Sequence, residues 1–87
     1  MGTLVFAKVR GYPAWPARIE TITGSGTNTK FNVFFYGTYE SAVVKEGDLS
    51  LFGPESVAKF GKQKRKGFVE ALNEIKTAAS RMAPGHL

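Results

Sequence analysis

The chain has 87 residues, 43% of them hydrophobic and 13% aromatic, which suits one domain whose small core is dense in large side chains. With no cysteine it forms neither disulfides nor Cys-type zinc sites, and no segment approaches the roughly 20 apolar residues of a membrane span, so no membrane partner is expected. Twelve Lys and Arg against seven Asp and Glu give a net charge of +5, a balance that attracts polyanions.

In chain order, "LVFAKVR" (Leu4–Arg10) alternates β-branched and aromatic residues and reads as a first strand. Gly11 and Pro13 stop its ladder, because glycine admits unusual dihedrals and proline donates no backbone hydrogen bond. Tyr12 and Trp15 therefore belong to an arch stiffened by Pro13 and Pro16. A second strand is predicted over Trp15–Thr23, with Pro16 tolerated at its start, followed by a hairpin loop, "GSGTNT". The strongest strand signal is "FNVFFY" (Phe31–Tyr36), in which Phe31, Val33 and Phe35 share one face and Asn32, Phe34 and Tyr36 the other. A turn at Gly37 and Thr38 leads to a fourth strand over Glu40–Val44, and "DLSLF" (Asp48–Phe52) supplies a short fifth. Five short strands with tight connections predict a small, strongly bent barrel.

After Phe52 the period changes. Gly53 and Pro54 open a short helix that Gly61 ends, and a longer amphipathic helix is predicted over about Lys64–Ser80, with Phe68, Leu72, Ile75 and Ala79 on the face that docks on the barrel. The fold class is thus mainly β with C-terminal helices: one domain over residues 1–80, its barrel about 4–52 and its helical part about 54–80, with residues 81–87 expected as a disordered tail.

No motif points to catalysis. The sole histidine, His86, is second from the end of the sequence, and the acidic residues are scattered without the pairing that acid–base or metal chemistry needs, so no cofactor and no metal are expected. Binding is the expected function. Tyr12, Trp15 and Tyr36 are candidate walls of a pocket for a methylated ammonium, a weakly hydrated cation that donates few or no hydrogen bonds and that the negative faces of aromatic rings stabilise. The residues alone leave a second reading open, in which all three rings are core.

A second constellation is basic. Five of the eight residues in "KFGKQKRK" (Lys59–Lys66) are Lys or Arg, and Lys62, Lys64, Arg65 and Lys66 fall on a loop and the predicted helix start. Positive charge opposes the helix dipole there unless an anion is near, so this run is expected to hold phosphates.

"FAKVRGYPAWPARI", "FFYGTYESA" and "GKQKRKGF", in this order, resemble the PWWP domain, in particular that of the hepatoma-derived growth factor family with its lens-epithelium-derived relative. The resemblance runs from about Leu4 to Ile75, although the name-giving motif reads Pro13-Ala14-Trp15-Pro16 here. It implies a five-stranded Tudor-like barrel followed by helices, and a cage of Tyr12, Trp15 and Tyr36 that reads methylated lysine on the histone three tail, the mark of transcribed gene bodies. Val9 falls where some members place a further, larger wall, and Glu40 where the family often places an acidic contact for the basic tail. The resemblance also implies that Lys8, Arg10 and Lys45 join the basic run in gripping nucleosomal DNA without base readout. The expected protein is a nuclear chromatin reader, its domain a monomeric module of a larger chain. Two alternatives stand beside it: a nucleic-acid binding domain without methyl-lysine recognition, and a scaffold module taking an extended or Pro-rich peptide.

Overall fold

The computed structural model describes residues 2–82. Strands β1 (Leu4–Ala7), β2 (Trp15–Thr23), β3 (Lys30–Phe35), β4 (Ser41–Val44) and β5 (Leu49–Leu51) are followed by helices α1 (Pro54–Phe60) and α2 (Phe68–Met82). The strands form one antiparallel sheet in the order β4-β3-β2-β1-β5, the five-strand, two-helix architecture expected of a small Tudor-like barrel.

Register explains the core. Val5 lies opposite Ala17, Ala17 opposite Phe35, and Ile19 opposite Val33, so one buried row crosses three strands. Phe6 and its partner Pro16 face the other side, as strand alternation requires, and are also fully buried. The helical part covers them: the Phe6 ring lies 5.9 Å from that of Phe52 and 5.5 Å from that of Phe60. From α2, Phe68, Ala71 and Ile75 are buried in the same core, and full burial of a side chain such as Phe68 contributes about 2–3 kcal/mol. Ala71 was not on the predicted helix face, whereas Leu72 is only partly buried.

Most strand boundaries fall within a residue of expectation, but two elements differ for local reasons. The first strand ends at Ala7 instead of Arg10, because its partner β2 begins at Trp15, opposite Ala7, and the chain beyond has no ladder to continue. Only one bond carries on, from Lys8 N to Asp48 O at 2.8 Å. The long helix begins at Phe68 instead of Lys64 because Gly67 has φ +84°, a left-handed conformation that an α-helix excludes. At its other end Arg81 and Met82 continue the helix, against the expectation of a tail from residue 81. The rest of that expected tail, with His86, lies outside the described residues.

Candidate functional site

The arch between β1 and β2 is built on a turn in which Tyr12 N donates to Val9 O at 3.0 Å, with Gly11 in the left-handed region at φ +86°. It closes one side of a cavity of about 380 Å³ whose lining includes Val9, Tyr12, Pro13 and Trp15. Phe35 of β3, Thr38 and Glu40 of the β3–β4 turn, and Ser41 and Ala42 of β4 line the opposite side, and Ala7 of β1 also lines it. Tyr12 and Glu40 are exposed at this cavity, whereas Trp15 and Phe35 are buried.

Trp15 is both core and wall. It is only 6% exposed, not projected into solvent by the arch as the sequence suggested. Its ring meets Phe68 edge-on at 5.1 Å, and its indole N–H donates to Tyr36 O at 2.9 Å. These contacts fix the ring that lines the cavity.

Tyr36, expected as the third wall, is not in the lining; Phe35 is. Consecutive strand residues point to opposite sides, and Phe35, paired with Ala17, takes the side on which the cavity opens. The Tyr36 ring instead stands edge-on to Phe34 at 6.2 Å and lies 5.9 Å from the Arg18 guanidinium. That guanidinium also covers Phe34 at 4.5 Å, and its hydrogen bonds to Glu20 and Tyr36 hold its pKa above the ordinary value.

The β3–β4 turn is held from α2. Gly37 N donates to Glu74 Oε1 at 3.1 Å, and the Tyr39 hydroxyl donates to Glu74 Oε2. Gly37 has φ +83°, and a side chain there would come within 3.0 Å of Ala71 Cβ, so only glycine lets the turn approach the helix this closely. Tyr39 also has φ +60°, which is rare for a residue with a bulky side chain. By accepting its hydrogen bond, Glu74 raises the Tyr39 phenol above its ordinary pKa.

The expected basic residues Lys8, Arg10, Lys45, Lys62, Lys64, Arg65 and Lys66 are all exposed. Among the described residues the one salt bridge joins Arg18 to Glu20 at 2.7 Å, so none of these seven is paired. Lys62, Lys64, Arg65 and Lys66 lie in the α1–α2 loop, before the helix and not in its first turn. This loop reaches the arch: the Arg65 guanidinium stacks 4.9 Å from the centroid of the Tyr12 ring. On the arch's other flank, Lys8 is bonded through its backbone to the β4–β5 turn that Lys45 precedes. The basic groups thus border the cavity instead of occupying a remote face. Neither the Arg65 stack nor the Glu74 clamp was foreseen, since no local pattern marks a contact between residues so far apart in sequence. Among the described residues no group of His, Asp and Glu gathers as metal ligands.

Comparison with known proteins bears on what this arrangement is. The chain is 40% identical over 86 residues to ENHANCER OF AG-4 protein 2 of Arabidopsis thaliana, covering 90% of this chain and 6% of that protein. It is 29% identical over 90 residues to human PWWP domain-containing protein 2A, covering 97% of this chain and 12% of that protein. The chain therefore spans a small fraction of the curated relatives it matches. The solution structure of the Pdp1 PWWP domain, described as having binding sites for methylated H4K20 and DNA, superposes with a TM-score of 0.67 at 27% identity, covering 92% of this chain and 84% of that one. The profile of the PWWP domain matches residues 2–80, which with the five-strand, two-helix fold shows that the chain belongs to the PWWP domain family.

Proposed function

We propose that this domain is a chromatin reader that takes a methylated lysine of a histone tail into the cavity between the arch and the β3–β4 turn, while the neighbouring basic residues hold DNA. The observation that carries the reading is the cavity itself: three aromatic residues, Tyr12, Trp15 and Phe35, line it, and Glu40 lies in the same lining. Aromatic faces replace the weak hydration of a methylated ammonium at little cost, and a carboxylate beside them favours a cation and the basic tail that bears it. Val9 adds a small apolar wall. In this reading Phe35 takes the role that the sequence assigned to Tyr36. The unpaired cations Lys8, Arg10, Lys45, Lys62, Lys64, Arg65 and Lys66 bind phosphates without base readout, and two weak contacts joined on one nucleosome reinforce each other through effective concentration.

The structural neighbour supports this reading, since that domain is described as binding both a methylated histone site and DNA. It concerns histone four, whereas the resemblance to the growth-factor group points to the gene-body mark on histone three, which we retain as the finer proposal. The domain serves as a monomeric module of a larger nuclear protein, consistent with relatives in which the matched segment is a small part. Calorimetric titration with trimethylated and unmodified tail peptides of histones three and four tests the proposal. Preference for a trimethylated histone three peptide, lost in Tyr12→Ala, is expected. Equal binding of methylated and unmodified peptides, with DNA binding intact, would favour the nucleic-acid reading instead.

A further inference from the structure

The two halves of the proposed site meet at one contact. Tyr12 lines the cavity, and Arg65, from the basic loop, stacks its guanidinium 4.9 Å from the centroid of the same ring. Arg65 has no carboxylate partner among the described residues and is exposed, so it is free to exchange this ring for a phosphate. Tyr12 is itself 53% exposed, so the stack is not enforced by burial.

An aromatic ring stabilises a cation through the negative potential of its faces. A guanidinium already on the ring opposes a second cation in either geometry: on the same face it occupies the place, and on the opposite face it repels the newcomer and draws on the same electron density. Phosphate, by contrast, offers Arg65 charge-assisted, two-pronged hydrogen bonds that are stronger than an exposed cation–π stack.

Resting on the cage reading above, we propose that Arg65 is a positioning residue that couples the two sites: stacked on Tyr12 it disfavours a methylated ammonium in the cavity, and drawn onto DNA phosphate it releases the ring. DNA and methylated lysine then bind with positive cooperativity beyond that supplied by tethering both to one nucleosome. The strength of an exposed cation–π contact sets the coupling at about two- to fivefold in affinity. Linkage makes it reciprocal, so the methylated peptide tightens DNA binding by the same factor.

The test uses the whole domain and separate ligands: a trimethyl-lysine tail peptide, its unmodified counterpart, and a short DNA duplex not joined to either. Peptide affinity is measured with and without saturating duplex, and the ratio of methylated to unmodified binding is compared, which removes attraction between the basic peptide and DNA. The wild-type ratio should rise about two- to fivefold on adding duplex. Arg65→Ala should show the raised ratio already without DNA and no further gain with it, and its Tm should match the parent's because both partners are exposed. In nuclear magnetic resonance spectra, the side-chain protons of Arg65 should lose the ring-current shift of Tyr12 when duplex alone is added. A lowered ratio in Arg65→Ala would show that Arg65 props the ring and would overturn the coupling. So would an unchanged wild-type ratio, while methylated peptide still binds, and that outcome would leave the cage reading standing. A wild-type domain that does not distinguish methylated from unmodified peptide, with or without duplex, would overturn the cage reading and the coupling with it.

Discussion

Trp15→Ala should unfold much of the population before its effect on binding can be read. The indole is only 6% exposed, packs edge-on against Phe68 at 5.1 Å, and satisfies the Tyr36 carbonyl through a 2.9 Å hydrogen bond. Truncating a buried aromatic of this kind costs about 3–5 kcal/mol, and leaving the carbonyl without its donor pushes the cost to the upper part of that range. A domain of this length has a total stability of only about 4–13 kcal/mol. At about 4–8 °C per kcal/mol for a domain this small, Tm should fall by at least about 12 °C. Tyr12→Ala provides the contrast. Its ring is half exposed and its main partner is the Arg65 stack, so the loss should be about 1 kcal/mol or less, with methyl-lysine preference removed from a folded protein. Thermal melts monitored by circular dichroism, followed by peptide titration of both variants at a temperature where each is folded, measure the two quantities separately. A Trp15→Ala protein whose Tm stays within a few degrees of the parent's would refute the argument that this ring braces the barrel against α2.

Tyr36→Phe should leave peptide affinity unchanged, since Tyr36 does not line the cavity; a severe loss of affinity with an unchanged Tm would restore it as a wall. Replacing Lys64, Arg65 and Lys66 together with Glu should weaken binding to free DNA and flatten its salt dependence by about 2–3 units in the slope of log affinity against log salt, at roughly 0.9 for each phosphate that is no longer neutralised. An unaltered slope in fluorescence-anisotropy titrations would mean that the loop is only a solvated surface. Tyr39→Phe probes the clamp on the β3–β4 turn. Because Glu74 raises the phenol's pKa in the folded state, the contribution of Tyr39 is present below its ordinary pKa of about 10 and is lost as pH rises through the folded value. The parent's Tm should therefore fall more steeply than the variant's at strongly alkaline pH, and parallel curves would remove the clamp from the account.

The parts of the fold written in short-range pattern were legible. Strict alternation in Phe31–Tyr36 marked β3 and already placed Phe35 with Val33, and Pro54 and Gly61 bracketed α1. The start of α2 was misread because Lys64, Arg65 and Lys66 are good helix formers and a single glycine does not rule out a helix; the left-handed dihedral of Gly67 decides the matter and has no signature beyond the residue type. The site was half legible for a related reason. Parity along β3 was correct, yet the sequence does not say on which side of the sheet the cavity opens, and so Tyr36 was preferred to Phe35. For Trp15 the choice between core and cage was itself misplaced, because a large flat ring can be buried at its edge and still present a surface to a cavity.

That double use of Trp15 gives the second helix a part in recognition. Both sides of the cavity lean on α2: the arch side through Trp15 on Phe68, and the turn side through Gly37 against Ala71 and through Glu74, which takes hydrogen bonds from Gly37 and Tyr39. A pocket for a methylated ammonium gains little from hydrogen bonds, so its affinity depends on walls already standing at the right separation before the ligand arrives. Here the separation is set by one rigid element instead of two independent loops. The exposed Tyr12 is the exception among the aromatic walls, held by a cation and not by the core, and it is where the basic surface begins. A fixed frame with one adjustable wall lets a phosphate contact outside the cavity change what happens within it without any rearrangement of the barrel.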